Sequence, residues 1–146
     1  MRKSTLRSIR VGIVAILILL CARQSAAVGG RDFAGYYELK NVVEQGDIVS
    51  LKFYMQVFNF SDADVIGAYV VLDDSLFLET YMVLQNVNID YSGQVFLSGD
   101  ISVPGWEYQQ WLQGLRPNLS VIYQDSSGNT FRRQVELIQM PLGGQS

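Results

Sequence analysis

Along most of the chain apolar residues recur with a period of two, and short clusters of turn residues break the pattern. Residues 48–60 show it most clearly. Val49, Leu51, Phe53, Met55 and Val57 fall on one face, and Ser50, Lys52, Tyr54 and Gln56 on the other. A slip of one residue would carry a lysine and a glutamine into the core, so the register is strongly specified. The same alternation predicts strands over 36–44, 65–72, 76–89, 94–103, 119–124 and 130–140. Gln45-Gly46-Asp47, Asp73-Asp74-Ser75 and Asp90-Tyr91-Ser92-Gly93 separate neighbours as turns, and the fourth strand is interrupted near Gln85-Asn86. In the fifth strand Val95, Leu97, Ile101 and Val103 face in.

Between the fifth and sixth strands the period changes. Tyr108, Trp111 and Leu112 stand at i, i+3 and i+4, which predicts a two-turn helix over 106–113 with Gly114 at its C-terminal cap. In the last strand Arg133 is in phase with Phe131, Val135 and Leu137, so a cation points to the core side, a device that protects edge strands from unwanted pairing. The expected fold is all-β: one seven-stranded antiparallel sandwich over 35–140 with a short helix between strands five and six. Residues 28–34 form a flexible lead-in and 141–146 a tail.

The amino-terminal residues follow a different rule. Arg2, Lys3, Arg7 and Arg10 precede an uncharged aliphatic run over 11–22, and small residues including Ser25 and Ala27 follow. This is the layout of a secretory signal helix, with cleavage expected after Ala27. Twelve apolar residues in helical form span about 18 Å, short of the ~30 Å hydrocarbon core, so a released domain is favoured over the alternative, a membrane-tethered protein with an uncleaved signal anchor. The chain is therefore expected to be exported, either periplasmic or secreted. Cys21, the one cysteine, lies in this segment. Bulky Leu20 before it departs from the small residue a lipoprotein signal needs.

Charge sharpens the picture. Five of the 11 basic residues precede the proposed cut and all 14 acidic residues follow it, leaving six cations against 14 acids. Such a domain is repelled by phosphate backbones, which argues against nucleic acid as a partner. With no histidine in the chain and no cysteine after the cut, serine–histidine and thiol nucleophile schemes are closed and no disulfide can form. The acids stand mostly in turns, where nothing raises a pKa for general acid catalysis. The domain is expected to be non-catalytic and without a cofactor.

The strand count and spacing, together with Phe53-Tyr54-Met55-Gln56-Val57-Phe58-Asn59-Phe60-Ser61, resemble the immunoglobulin-like and fibronectin type III-like modules of exported bacterial proteins. The resemblance implies a binding or spacer scaffold and carries no catalytic residues with it. A disulfide pair and a third-strand tryptophan, marks of the antibody type, are missing.

Three groups of residues are candidate sites. Phe58 and Phe60 lie on the polar face of the second strand beyond Tyr54, and with Phe33, Tyr36 and Tyr37 they would make an exposed aromatic patch for an unidentified protein partner. Trp106, Tyr108 and Trp111 would serve as a platform for sugar, although the helical stripe is also explained by a plug for one end of the core, which leaves Trp106 over. Asp62, Asp64, Asp90 and Asp125 come from loops at one end and offer oxygens suited to calcium, although aspartate is also frequent in turns for backbone reasons. Protein interaction or surface assembly is the leading reading, with the first and last strands as docking edges. A carbohydrate or calcium module and a ligand-free structural spacer are the alternatives. Asn59-Phe60-Ser61 and Asn118-Leu119-Ser120 match the glycosylation sequon.

Overall fold

The computed structural model describes residues 32–140. The predicted signal helix, its cleavage site, Cys21 and the tail lie outside the described residues. Seven strands and one helix follow in order: β1 (Phe33–Gln45), β2 (Ile48–Asn59), β3 (Val65–Asp73), β4 (Thr80–Ile89), β5 (Gln94–Pro104), α1 (Gly105–Leu112), β6 (Asn118–Gln124) and β7 (Thr130–Gln139). The all-β class, the seven strands and the helix between the fifth and sixth all agree with the sequence pattern.

The expectation of a purely antiparallel sheet is corrected. The strands join in the order β4-β3-β6-β7-β1-β2-β5, and β7 belongs to both halves. Its first part, from Thr130 to Val135, pairs antiparallel with β6, and its last part, from Glu136 to Gln139, pairs parallel with β1. The first and last strands therefore cover each other's edges, and the free edges are β4 and β5. Arg133 consequently does not guard an edge. Its Nε donates to Asp32 Oδ2 at 2.9 Å and its guanidinium lies over the Phe131 ring. The sheet curls until β4 approaches β5, giving a nearly closed shape. Gly99 on β5 makes this approach possible, because a Cβ there would meet the Met82 sulfur of β4.

Alternation on β2 holds as predicted. Val49, Leu51, Phe53, Met55 and Val57 are all buried, each full burial of such a side chain being worth about 1.5–3 kcal/mol. Opposite them stand Val70 and Leu72 of β3, Leu119 and Val121 of β6, and Val135 and Leu137 of β7. β1 begins three residues earlier than the pattern suggested. Phe33 is fully buried, packs edge-on against Tyr123 at 5.9 Å, and pairs with Asn59. The interruption near Gln85-Asn86 is a bulge with Asn86 at φ 56°, matched by a second on β3 at Gly67, φ 65°.

β4 begins at Thr80 and not at Leu76. The Asp74 carboxylate accepts the N–H groups of Leu78 and Glu79 at 2.6 and 3.2 Å, and the Asp74 carbonyl accepts that of Phe77. Residues 76–78 are thereby folded into a loop, with Phe77 at φ 57°. A bulky residue in that left-handed region costs about 1–2 kcal/mol. Three apolar residues in a row imitated a strand in sequence, whereas the aspartate before them sets a turn.

Helix α1 closes the end of the core opposite Phe33, beside the β1–β2 turn. The Gly105 N–H donates to the Asp47 carbonyl in the β1–β2 turn at 2.7 Å, anchoring the helix. Its end is a Schellman motif: Gly114, at φ 94°, donates to the Trp111 carbonyl, and Leu115 donates to that of Gln110.

Candidate functional site

Strand register lays a row of side chains across the outer face of β7, β1, β2 and β5. Ile138 is opposite Tyr36, Tyr36 opposite Gln56, and Gln56 opposite Phe96. The adjoining row places Ala34, Phe58 and Gln94 side by side. Tyr36 meets Phe58 edge-on at 6.0 Å, and Phe58 stacks on Phe60 at 6.1 Å. Tyr36, Phe60 and Phe96 remain 39 %, 63 % and 71 % exposed, and Tyr54 and Phe58 are half-buried. The Nζ atoms of Lys40 and Lys52 lie 5.0 and 5.5 Å from the centre of the Tyr54 ring, within cation–π range. Between Tyr36, Tyr54, Phe96 and Met140 the surface dips into a groove of about 180 Å³.

Of the predicted aromatic patch, Tyr36, Tyr54, Phe58 and Phe60 are brought together on this face. Tyr37 and Phe33 are not. They alternate to the inner side, where Tyr37 stacks on Phe53 with ring centres 5.5 Å apart and is almost wholly buried. Burial pushes its hydroxyl above the usual tyrosine range. Phe96 is the member that sequence reasoning missed, though its signal was present. Once Val95 and Leu97 are set facing in, Phe96 must face out.

Trp106 is half-exposed on α1 at the end of the molecule and takes no part in the aromatic face. The helix buries Glu107, Tyr108 and Trp111, while Leu112, expected on the inner stripe, is half-exposed. Trp111 packs edge-on to Phe53 and Tyr81 at 6.0 and 6.4 Å and so plugs the core. Glu107 was not foreseen. Its carboxylate accepts the Ser75 N–H at 3.1 Å, the Ser75 hydroxyl at 3.2 Å and the Trp111 indole N–H at 3.2 Å. Burial raises its pKa against these hydrogen bonds. Tyr81 is raised as well, by burial first and then by the Glu107 charge, and its hydroxyl is buried without a partner. This polar knot holds the 74–79 loop onto the helix, and the Asn118 amide, donating to the Asp74 carbonyl at 2.7 Å, fixes it from the other side. The loop presents Leu76, Phe77 and Leu78 outward at 66 %, 55 % and 82 % exposure.

The four aspartates proposed for calcium lie on loops at the other end, beside Asp32. Asp64 Oδ1 accepts the Tyr91 N–H at 2.6 Å. Asp125 Oδ1 accepts from Ser127 and Asn129 backbone N–H groups, and Oδ2 from the Asn129 amide. These bonds hold its carboxyl below the usual range, the Asn129 side chain contributing most. The Asp90 carbonyl receives the Gly93 N–H. Asp62 and Asp64 border a cleft of about 540 Å³ with Tyr123, Phe131 and Arg133. Among the described residues no group of three or more acidic, histidine or cysteine side chains is arranged to hold a metal ion. Asn59, in the first sequon, is fully buried. Its amide donates to the Ala63 and Ile89 carbonyls and its Oδ1 accepts from Ser61, so it is a loop clamp and no glycan acceptor.

No family model matches the chain, and no curated protein does. Among solved structures it is similar to a structural-genomics target, SoR45, with TM-score 0.40 and 9 % identity, covering 75 % of this chain and 85 % of that one. It is similar at the same TM-score to the CARDB domain of the PF1109 protein from Pyrococcus furiosus, a complex with di-metal ions, with 12 % identity over 79 % of this chain and 95 % of that one. At that TM-score neither likeness carries an argument about this chain.

Proposed function

We propose that this chain is a non-catalytic, exported module of immunoglobulin-like or fibronectin type III-like architecture that binds another protein through the outer face of β1, β2 and β5. The carrying observation is the contiguous aromatic surface of Tyr36, Tyr54, Phe58, Phe60 and Phe96, exposed on an otherwise acidic domain. Apolar patches of this kind mark interaction sites on soluble domains. The partition of strands into β1-β2-β5 and β4-β3-β6-β7, joined only through the β7–β1 pairing, supports the sandwich architecture. The basic and apolar layout of residues 1–27 supports export, to the periplasm or beyond the cell, and assembly in the envelope or at the surface is the process it suggests.

The groove is small for a free organic ligand, since such pockets usually enclose about 300–1,000 Å³. It suits inserted side chains of a protein. The test is capture of binding partners by the purified protein beside a Tyr36→Ser/Phe96→Ser variant. Partners retained by the wild type and lost by the variant, at equal melting temperature, are expected. Identical partners for both proteins would remove the reading.

A further inference from the structure

We propose that the occupant of the aromatic groove is a second copy of this chain, which inserts its 76–78 loop head to side. The proposal rests on the reading of that face as a protein-docking surface and names its partner.

The loop is built as a rigid knob. Three consecutive large apolar side chains point to solvent, which in a monomeric domain is a fault unless they are used. They are not left to collapse. Asp74, Glu107 and Asn118, all turned inward, hold the backbone beneath them, and the Arg132 guanidinium backs the Phe77 ring at 5.7 Å from its centre. A left-handed phenylalanine at the tip is the kind of local strain that persists only where the surroundings enforce it.

The groove is the matching hole. It is concave, sized for one or two apolar side chains, and lined by Tyr36, Tyr54, Phe96 and Met140 together with Glu38, whose charge is met by Lys40. Charge selects the same pairing. Residues 32–140 hold all 14 acids of the chain and only five cations, Lys40, Lys52, Arg116, Arg132 and Arg133. Arg116, Arg132 and Arg133 are engaged with Glu136, Asp73 and Asp32. The two lysines stand at the rim of the groove over Tyr54, with Lys40 also reaching Glu38. The knob carries exposed Glu79 directly after Leu78.

Knob and hole cannot meet within one chain. The loop joins β3 to β4, and the groove is on the outer side of β1, β2 and β5. The contact is therefore heterologous, and every copy added leaves one knob and one hole free, so the association extends. One or two side chains of the loop in a shallow groove bury well under the ~1,200 Å² of stable complexes, which makes the contact weak and dependent on local concentration.

Sedimentation velocity of the full chain, purified as expressed, tests this with two surface variants. Leu78→Glu removes the knob and Phe96→Glu spoils the hole. The wild type is expected to gain mass beyond a dimer as concentration rises, each variant to stay monomeric, and an equimolar mixture of the two variants to form dimers that grow no further. A wild type that is monomeric throughout, or one whose association either variant leaves unchanged, would overturn the proposal. So would a mixture of variants that fails to pair. If the wild type is monomeric yet Phe96→Glu abolishes capture of some other protein, this inference falls and the docking face stands. If both fail, neither reading survives.

Discussion

The Arg132 guanidinium of β7 reaches the Asp73 carboxylate at the end of β3, with Nη2 and Oδ2 2.6 Å apart. Asp73 also accepts the Thr80 hydroxyl at 2.7 Å, and Arg132 Nε donates to the Ser120 hydroxyl at 3.2 Å. One ion pair thus ties together β3, β4, β6 and β7. Both side chains are largely withdrawn from water, and burial raises the Asp73 pKa in spite of the arginine. Removing one partner from such a pair is costly because the other charge is left unanswered. Arg132→Met should destabilise by about 3 kcal/mol in urea unfolding, and adding Asp73→Asn should recover most of the loss. A loss below about 0.5 kcal/mol for the single variant would show the pair to be screened like a surface bridge.

Glu107 gives a pH dependence with a definite sign. Burial raises its folded pKa above the ordinary glutamate value of 4.5, so the folded state holds this proton more tightly than the unfolded chain. Its contribution to stability is full below about pH 4.5 and declines as pH rises through the raised folded value. Glu107→Gln keeps an acceptor for Ser75 or Trp111 and carries no charge. The variant should lack this part of the decline, so its melting temperature relative to wild type should increase from pH 4.5 toward neutrality. A constant difference across that range would contradict the raised pKa.

Two glycines should respond differently to the same added methyl group. At Gly35 a Cβ would run into the Gln56 carbonyl oxygen, a backbone atom fixed by the β1–β2 ladder. At Gly99 it would meet the Met82 sulfur, the middle of a flexible side chain. Gly35→Ala is therefore expected to cost about 3 kcal/mol or more, and Gly99→Ala about 1–2 kcal/mol, because Met82 must repack within the core to admit it. Combining Gly99→Ala with Met82→Ala should expose the coupling as a non-additive term in denaturant midpoints. Equal losses at the two glycines would show that the strands shift as freely as the side chain does.

Neighbouring aromatics on β1 offer an inside–outside comparison. Tyr37→Ser empties a site packed on Phe53 and should cost about 3–5 kcal/mol. Tyr36→Ser, one residue earlier and on the outer face, should stay within about 1 kcal/mol while weakening partner binding. Thermal melts of both, with a binding measurement on the second, check the assignment of faces.

Much of this was legible in the chain. Period-two alternation is a direct consequence of side chains pointing to opposite faces of a strand, and on β2 it identified every inward residue from Val49 to Val57 correctly. Phase arithmetic alone would have separated Tyr37 from Tyr36 and admitted Phe96 to the outer face. The 76–78 loop misled because its three apolar residues satisfy a strand pattern, while the restraint against it comes from Asp74 side-chain bonds that no periodicity records. Glu107 was hidden for a similar reason. A carboxylate on a helix reads as solvated until Ser75, 32 residues earlier, is seen to bond it. The parallel pairing of β1 with β7 was beyond reach, because alternation assigns faces to strands but does not choose their neighbours.

That pairing has a kinetic consequence. The last strand of the sheet in chain order is also the one that bridges its two halves, pairing with β6 and with β1. Until Glu136 to Gln139 arrive, β1 has only one neighbour and the core lacks Val135 and Leu137. Closure between strands so far apart in sequence is slow. The two halves of the sheet thus stay unjoined until β1 and β7, the first and last of the described strands, have found each other.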